Sequence, residues 1–314
     1  MESIDANVID AKYKDKYIAP YLHSLSKNCV YYPYTMSYHL GGNTSDAEFS
    51  ILNSIEPLQS YPAMKLPSYN YPNSFINELN KSDYTCIAFH GNVASYFNRN
   101  NAYFTMGFSH FYDIKDMHLK NKGWGASDED VFNFAKEKLL ETNKPFLSYI
   151  ITLTSHASYT NFSYYYSNAD YDDVKGLVGN YLNSVSYVDV TLKKFITYIR
   201  KNIPNTYIFI FGDHTPPQIN DPLYPLSSMH FHSKYFEFVP LLILTPDNIV
   251  YKENKRVACF LDIAPTILNT CGVKYSIRSD GNDLLNFKLN DFSLIPFKGE
   301  FFSRETLFEE ITNK

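Results

Sequence analysis

Three histidines in this sequence each follow an apolar run about as long as a β-strand. They are His90, His156 and His214, and the last is directly preceded by Asp213. In open α/β sheets the ligand site lies at the carboxyl ends of the strands, so these side chains are expected to meet at one edge of a sheet. A carboxylate oxygen beside an imidazole suits a divalent cation. A single histidine in such a place is more often structural, but three at three strand ends favour a metal-dependent site.

A second group of reactive side chains lies near the front of the chain, in Gly41-Gly42-Asn43-Thr44-Ser45-Asp46-Ala47-Glu48-Phe49. The conventional interpretation is a helix start, with Thr44 or Ser45 as the N-cap and Glu48 closing a capping box on Ser45. The functional interpretation adds that a hydroxyl at a helix N-terminus lies where phosphate groups bind. A metal-activated Thr44 is then a candidate nucleophile. Both interpretations can hold for the same segment.

Short apolar runs that alternate with helical patterns predict the scaffold that positions these groups. This alternation favours an α/β layered fold. The predicted strands are residues 85–89, 146–154, 207–211 and 239–244, and the clearest predicted helix covers about residues 181–199. Asp128, Glu129 and Asp130 precede another predicted helix that runs through Leu140, which places acidic residues at the positive end of its dipole. We expect one large domain over residues 1–272 and a small α+β subdomain or extension over residues 273–314.

The composition of the 314 residues excludes several classes of protein. The net charge is −5 and the pI about 6.0, so no excess of basic residues points to nucleic acid. The 28 tyrosines and 24 phenylalanines supply too much apolar area for a disordered chain. Four scattered cysteines form neither a disulfide framework nor a paired zinc motif. No apolar run approaches the roughly 20 residues of a membrane span.

The motifs, in their order along the chain, resemble those of a known enzyme family. They are Glu2-Ser3, Gly42 to Phe49, His90-Gly91-Asn92, Phe97-Asn98-Arg99, Thr154-Ser155-His156, Phe211-Gly212-Asp213-His214 and Asp262-Ile263-Ala264-Pro265-Thr266. The set resembles the extracellular catalytic domain of lipoteichoic acid synthases and related phosphoglycerol transferases, in the alkaline phosphatase and sulfatase superfamily. The resemblance spans about residues 1–285. It implies an α/β fold with a mostly parallel central sheet and helices on both faces.

The resemblance also assigns roles to individual residues. It implies that the metal ligands are Glu2, Thr44, Asp213 and His214, and that Thr44 is also the nucleophile. His156 would act as the proton donor and acceptor, and the phosphoglycerol group would be held by His90, Asn92, Phe97, Arg99 and His156. The family commonly has an acidic residue where Asn92 stands. The metal implied is manganese, with magnesium or zinc as alternatives.

The function implied is transfer of glycerophosphate from phosphatidylglycerol, through a phospho-threonine, to a hydroxyl of polyglycerolphosphate or a glycan. The family's membrane helices precede this domain, and its first strand runs directly into the metal-binding glutamate. Because Glu2 is the second residue, we expect that strand and those helices to be missing from this chain. The chain is therefore expected to be a soluble ectodomain fragment of a protein anchored at the outer face of the cell membrane.

Several alternatives remain open at this stage. A phosphoethanolamine transferase shares the threonine nucleophile, and a phosphodiesterase that passes the group to water would have the same motifs. A non-catalytic module that binds glycan or teichoic acid is the alternative from another class. The Cys-x-Pro-x-Arg motif of classical sulfatases is absent around Thr44. His230 and His232 are further candidates to face the site.

Overall fold

The structure is a computed structural model that describes residues 1–38, 40–58, 61–142, 145–164, 171–287 and 294–313. Its helices are α1 (Pro20–Ser26), α2 (Thr44–Asn53), α3 (Phe75–Asn80), α4 (Arg99–Met106), α5 (Asp128–Leu140), α6 (Gly176–Asn202), α7 (Ile263–Thr270) and α8 (Arg304–Thr312). Its strands are β1 (Lys12–Tyr13), β2 (Lys16–Tyr17), β3 (Val30–Met36), β4 (Thr85–His90), β5 (His110–Tyr112), β6 (Phe146–Ile151), β7 (Ile208–Phe211), β8 (Ser228–Phe231), β9 (Lys234–Leu244), β10 (Tyr251–Lys252), β11 (Ala258–Cys259), β12 (Leu294–Phe297) and β13 (Glu300–Ser303).

The strands that support the site form two sheets. One has the order β10-β3-β9-β7, with β11 also paired to β3 and β8 paired to β9. The other has the order β5-β4-β6, and all its strands are parallel. In the first sheet β9 runs antiparallel to both β3 and β7, which the sequence did not predict. The predicted α/β class, with helices flanking the sheet, is confirmed.

Helices cover both faces of the sheets because each carries an apolar stripe. On one face α5 and α6 bury Phe132, Leu192 and Phe195, and the rings of Phe132 and Phe195 stack with centroids 4.6 Å apart. On the other face α2, α3 and α7 bury Phe49 and Leu268. Each such fully buried side chain contributes about 1.5–3 kcal/mol to folding. The two packed layers hold the carboxyl ends of the strands in fixed positions.

The carboxy-terminal part of the chain packs against the first sheet. Strands β12 and β13 form an antiparallel hairpin, and Phe297 and Phe302 contact Phe236 of β9. Arg304 at the start of α8 makes a buried double hydrogen bond to Asp262, just before α7. The division of the chain at residue 272 stays a prediction. Within the described ranges, we find no helix that combines the length and apolar character needed to cross a bilayer.

Candidate active site

Three predicted metal ligands lie together at the carboxyl ends of the strands. One ligand atom from each of Glu2, Asp213 and His214 lies within 4.8 Å of the others, and all three side chains are buried. Asp213 and His214 follow β7 through Gly212. Glycine is required there because a Cβ atom would lie 1.9 Å from the carbonyl oxygen of Ile4. The close approach of the two backbones brings Glu2 to the end of β7.

The surrounding hydrogen bonds orient two of these ligands towards a common point. Oδ1 of Asp213 accepts from the backbone N–H groups of Ser3 and His214, each at 2.8 Å. Its Oδ2 is buried and has no hydrogen-bond partner among the described residues. Nδ1 of His214 donates to the carbonyl of Thr215 at 2.8 Å, so Nε2 is the nitrogen that remains to bind a cation. Nε2 lies 3.4 Å from Oε1 of Glu2 and 3.6 Å from Oδ2 of Asp213.

The predicted nucleophile completes this set. Thr44 is the first residue of α2, and its Oγ1 lies 3.2 Å from Oε2 of Glu2 and 3.4 Å from Nε2 of His214. Two carboxylates, an imidazole and a hydroxyl form a donor set that suits a hard or borderline divalent cation. The unpartnered Oδ2 of Asp213 gives a physical reason for one, since a buried carboxylate oxygen without a partner is costly. The residues therefore fit the expected metal.

The start of α2 differs from the predicted capping box. Its N-cap is Asn43, whose side chain makes no capping bond, and Ser45 Oγ donates to the carbonyl of Gly42 instead. Glu48 does not close a capping box on Ser45, because its carboxylate accepts hydrogen bonds from Arg99, in α4. The capping-box interpretation is wrong. Asp46 holds the turn by accepting from the N–H of Gly42 at 2.8 Å, which leaves the hydroxyl of Thr44 facing the metal ligands.

The pKa shifts of Glu2 and His214 indicate that a cation would displace a proton when it binds here. Burial raises the pKa of Glu2, and the negative charge of Asp213 raises it further. Burial lowers the pKa of His214, but the charges of Asp213 and Glu2 outweigh this and raise it to about 8. The imidazole is thus protonated at neutral pH when no cation is present. A metal ion would displace that proton, because it binds the neutral imidazole.

Affinity for a divalent cation is therefore expected to depend on pH with a definite sign. Because binding releases the proton of His214, the association constant for Mn²⁺ is expected to rise about tenfold per pH unit between roughly pH 6 and 7. It should level off above the His214 pKa of about 8. Calorimetry in two buffers with different ionisation enthalpies measures both the affinity and the protons released. An affinity that stays constant from pH 6 to 8 would contradict this assignment.

A second cluster is built around Arg99, which is 2% exposed. Its Nε and Nη2 donate to both carboxylate oxygens of Glu48, with the shortest distance 2.6 Å. Tyr103 donates to the same carboxylate at 2.6 Å. Nη1 of Arg99 is buried and has no partner among the described residues. The guanidinium is thus fixed by an ion pair while one donor nitrogen remains for a ligand.

The other predicted binding residues differ in how far their polar atoms are already used. His90 is buried, and its Nδ1 donates to the carbonyl of Ile151. Burial and the nearby charge of Arg99 hold the pKa of His90 well below its ordinary value, so its ring is neutral. The ring of Phe97 lies against the guanidinium of Arg99, 5.4 Å from its central carbon. The side-chain amide of Asn92 is already hydrogen-bonded to the backbone: its nitrogen donates to the carbonyl of Trp124 and its oxygen accepts from the N–H of Val93.

His156 is half-buried and is held by its neighbours from two sides. Its Nδ1 donates to the carbonyl of Ala157, so Nε2 is the basic nitrogen. Its ring stacks on Trp124 with centroids 4.9 Å apart and an interplanar angle of 20°. The loop that carries it is held by Asp128, whose carboxylate accepts from the N–H groups of Leu153 and Thr154.

Sequence reasoning missed three residues that support the site. Glu48 was assigned to a capping box and Asp128 to the favourable end of a helix dipole, although both carboxylates bind groups distant in sequence. Trp124 gave no signal beyond being the sole tryptophan. His230 and His232 are exposed on the β8–β9 hairpin, and neither belongs to the group formed by the three metal ligands. Their rings contact Tyr235 and Phe231.

Comparison with known proteins agrees with this fold. A family model described as Sulfatase matches residues 2–273, and the chain therefore belongs to the sulfatase family.

Within that family the chain is similar to lipoteichoic acid synthases, which confirms the resemblance seen in the motifs. It is 25% identical to the lipoteichoic acid synthase-like YvgJ of Bacillus subtilis over 338 residues, covering 99% of this chain and 53% of that protein. The chain thus spans about half the length of the curated relatives it matches.

Two solved structures are similar across most of the chain. The lipoteichoic acid synthase LtaP from Listeria monocytogenes has a TM-score of 0.81 and 25% identity, and the match covers 97% of this chain and 79% of that one. The phosphoglycerol transferase GacH of Streptococcus pyogenes, solved with sn-glycerol-1-phosphate, has a TM-score of 0.62 and 20% identity. That match covers 85% of this chain and 72% of GacH and shows a shared fold.

Proposed function

We propose that this chain is the catalytic domain of a metal-dependent phosphoglycerol transferase. The observation that carries the proposal is the position of Thr44 Oγ1, 3.2 Å from Glu2 and 3.4 Å from His214 at the start of a helix. A hydroxyl in that place is the group that attacks phosphorus, and the helix N-terminus favours the negative charge of the phosphate. The similarity to lipoteichoic acid synthases and to a glycerol-phosphate-binding transferase supports glycerophosphate as the group transferred.

The residues that would hold the cation are Glu2, Thr44, Asp213 and His214, and manganese is the ion we propose. When bound, such an ion supplies a Lewis acid that favours the ionised threonine and offsets charge on the phosphoryl oxygens. Arg99 would contribute its unpartnered Nη1 to a phosphate oxygen, with Glu48 keeping the guanidinium in place. His90, neutral and donating through Nδ1, would accept a hydrogen bond from a glycerol hydroxyl at Nε2.

The proposed transfer has two steps, with a glycerophospho-threonine between them. In the first, the ionised Oγ1 of Thr44, which has already lost its proton to solvent, attacks the phosphorus of phosphatidylglycerol and the bond to diacylglycerol breaks. Protonated His156 gives its proton from Nε2 to the departing alkoxide, so that diacylglycerol leaves neutral. In the second, neutral His156 takes the proton of an acceptor hydroxyl, whose oxygen attacks the glycerophospho-threonine and releases Thr44. The acceptor is a terminal glycerol of polyglycerolphosphate or a glycan hydroxyl.

A lipid donor requires the domain to work beside a membrane, and we place it at the outer face of the cell membrane. A phosphoethanolamine transferase or a phosphodiesterase would use the same groups for the first step. They would differ in the donor head group or in the use of water as acceptor.

The test is diacylglycerol release from vesicles that contain either phosphatidylglycerol or phosphatidylethanolamine, with Mn²⁺ present. Release from phosphatidylglycerol only, faster when a glycerol or glycan acceptor is added, is the expected result. Release from phosphatidylethanolamine only would replace the proposal by the alternative transferase. If neither lipid is cleaved while Mn²⁺ binds, the chain is a binding module.

The stack of Trp124 on His156 allows a direct test of ligand binding. Trp124 is the sole tryptophan, so its emission reports on this place alone. Adding sn-glycerol-1-phosphate is expected to change the emission, because a ligand that contacts His156 changes the surroundings of the indole stacked on that ring. The change should saturate and should disappear in the matched variant His156→Gln. An equal response in that variant would show that the ligand binds elsewhere.

A further inference from the structure

An arc of aromatic side chains borders the candidate active site between Arg99 and His156. The ring of Phe97 lies over the guanidinium of Arg99, and its centroid is 4.8 Å from that of Tyr96. The centroids of Tyr96 and Trp124 are 5.8 Å apart, and Trp124 in turn stacks on His156. Each end of the arc therefore contacts a residue to which the proposed function gives a role in binding or catalysis.

Three large aromatic side chains at this border are exposed. Tyr96 is 40% exposed, Trp124 39% and Tyr164 54%. Tyr164 lies against the turn that carries Trp124, because a Cβ atom on Gly123 would be 2.8 Å from its ring. We call Tyr96, Trp124 and Tyr164 the aromatic rim. Exposed rings gathered at one place, beside a binding site, mark a surface that contacts a partner.

The backbone holds the rim in place from two sides. Phe97 and Asn98, which follow Tyr96, have φ angles of 54° and 59°, in the left-handed region that is costly for a bulky residue. Such a conformation persists only where the surrounding structure enforces it. On the other side, the N–H of Trp124 donates to Oδ1 of Asn161 at 3.2 Å, and its carbonyl accepts from Asn92 at 3.0 Å. The rim is therefore a preformed surface.

The surroundings of the rim are more basic than the rest of the chain. Nζ of Lys65 lies 5.0 Å from the centre of the Phe97 ring. Lys122 is exposed on the turn that carries Trp124. Residues 90–125 contain four basic side chains and two acidic ones, whereas the whole chain has a net charge of −5. An anionic partner suits this surface.

The proposed reaction determines how deep the rim must lie relative to a bilayer. The bond that breaks joins phosphorus to an oxygen of diacylglycerol, whose acyl chains stay in the bilayer. His156 protonates that oxygen, so His156 and the indole of Trp124 stacked on it must reach the boundary between head groups and acyl chains. Tryptophan and tyrosine are enriched at this level of membranes, because each has an apolar ring and a polar N–H or O–H group.

We propose that the aromatic rim is the surface through which this domain contacts an anionic lipid bilayer, with Tyr96, Trp124 and Tyr164 among the head groups and Lys65 and Lys122 against anionic lipids. This inference rests on the proposed function for its lipid donor and adds the face of the domain that meets the membrane. A glycan acceptor is the other candidate partner for these rings. The rings of Tyr96 and Trp124 stand at 87° to one another, so they do not form a flat platform on which a sugar ring stacks.

Trp124 is the sole tryptophan, so its emission reports whether the rim enters a bilayer. The chain is mixed, without metal, with vesicles of phosphatidylcholine and phosphatidylserine. The phosphatidylcholine carries brominated acyl chains, which quench an indole that contacts them, and bound protein is measured in parallel by sedimenting the vesicles. Neither lipid is a donor in the proposed reaction, so a failure to bind these vesicles is distinguishable from a failure to transfer glycerophosphate.

The emission of Trp124 is expected to shift to shorter wavelength and to be quenched by the brominated lipid. Two lysines beside an anionic surface should make the affinity about 30-fold higher than for vesicles of phosphatidylcholine alone. The double variant Lys65→Glu with Lys122→Glu is expected to lose this preference. Binding that is equally tight to neutral and anionic vesicles would overturn the part of the proposal that concerns charge.

Tyr164→Ser is expected to bind the anionic vesicles about tenfold more weakly, because an apolar ring no longer leaves water. The matched control is Tyr207→Ser, which removes a tyrosine that is 41% exposed just before β7, away from the carboxyl ends of the strands, and should bind like the parent. Equal losses in the two variants, or sedimentation with vesicles without quenching of Trp124, would overturn the proposal. Emission that responds to maltotriose but not to vesicles would assign the rim to a glycan and overturn it as well.

Discussion

Replacement of Thr44 by alanine is expected to reduce diacylglycerol release by about 10⁴-fold or more, because it removes the attacking oxygen. Folding should be nearly unchanged. Among the described residues, the hydroxyl of Thr44 contacts only Glu2 and His214, and the first turn of α2 is held by backbone bonds from Asp46 and Ala47 to the carbonyl of Asn43. Alanine is also a good helix former. Release rates and the thermal midpoint are measured on the same preparation.

Thr44→Ser is the matched control for that variant. It keeps a hydroxyl at the same place and loses only a methyl group, so a large part of the activity should remain. Turnover by Thr44→Ala at a rate close to that of the parent would contradict the covalent route. It would then favour direct attack on the phosphorus by water or by the acceptor.

Replacement of Glu48 by alanine is expected to have the largest effect on stability. Arg99 and Glu48 are each 2% exposed, and removing the acid leaves a buried guanidinium with its bonds broken. Breaking a buried pair by removing one partner costs about 3–5 kcal/mol. Tyr103 loses its acceptor at the same time. The free energy of unfolding, measured with urea in the absence of substrate, is expected to fall by that amount.

The double variant Glu48→Met with Arg99→Met separates stability from binding. Apolar residues of similar volume remove both charges, and such replacements of buried pairs are often neutral or stabilising. Most of the lost stability should return, whereas glycerol phosphate binding should not, because the guanidinium of Arg99 that would donate to the phosphate is gone. A double variant as unstable as Glu48→Ala would show that the pair contributes more than charge compensation. Normal ligand affinity in it would exclude Arg99 from the binding site.

Local patterns were sufficient to predict the elements that carry the site. The helix predicted to follow Asp128, Glu129 and Asp130 and to run through Leu140 is α5, which already begins at Asp128. The predicted strands at residues 85–89 and 207–211 agree with β4 and β7 to within a residue. Their carboxyl ends meet because the sheets are layered with helices. The convergence of Asp213 and His214 with Glu2 followed from that rule together with the family resemblance.

Features that depend on partners distant in sequence could not be predicted from local patterns. The spacing from Ser45 to Glu48 is that of a capping box. The Glu48 carboxylate instead forms a buried ion pair with Arg99, which lies 51 residues further along the chain. The antiparallel direction of β9 is set by its pairing with β3 and β7, and the sequence of an apolar strand does not indicate its direction. The stack of Trp124 on His156 joins two loops and has no sequence signature.

The most direct test of the account is the mass of the intact protein after incubation with Mn²⁺ and phosphatidylglycerol vesicles, in the absence of an acceptor. The parent chain is expected to gain the mass of one glycerophosphoryl group, located on Thr44 by fragmentation, as diacylglycerol appears. Thr44→Ala should gain nothing. Addition of an acceptor alcohol should remove the adduct. Release of diacylglycerol with no adduct on the parent, or an adduct on Thr44→Ala, would contradict the proposed nucleophile.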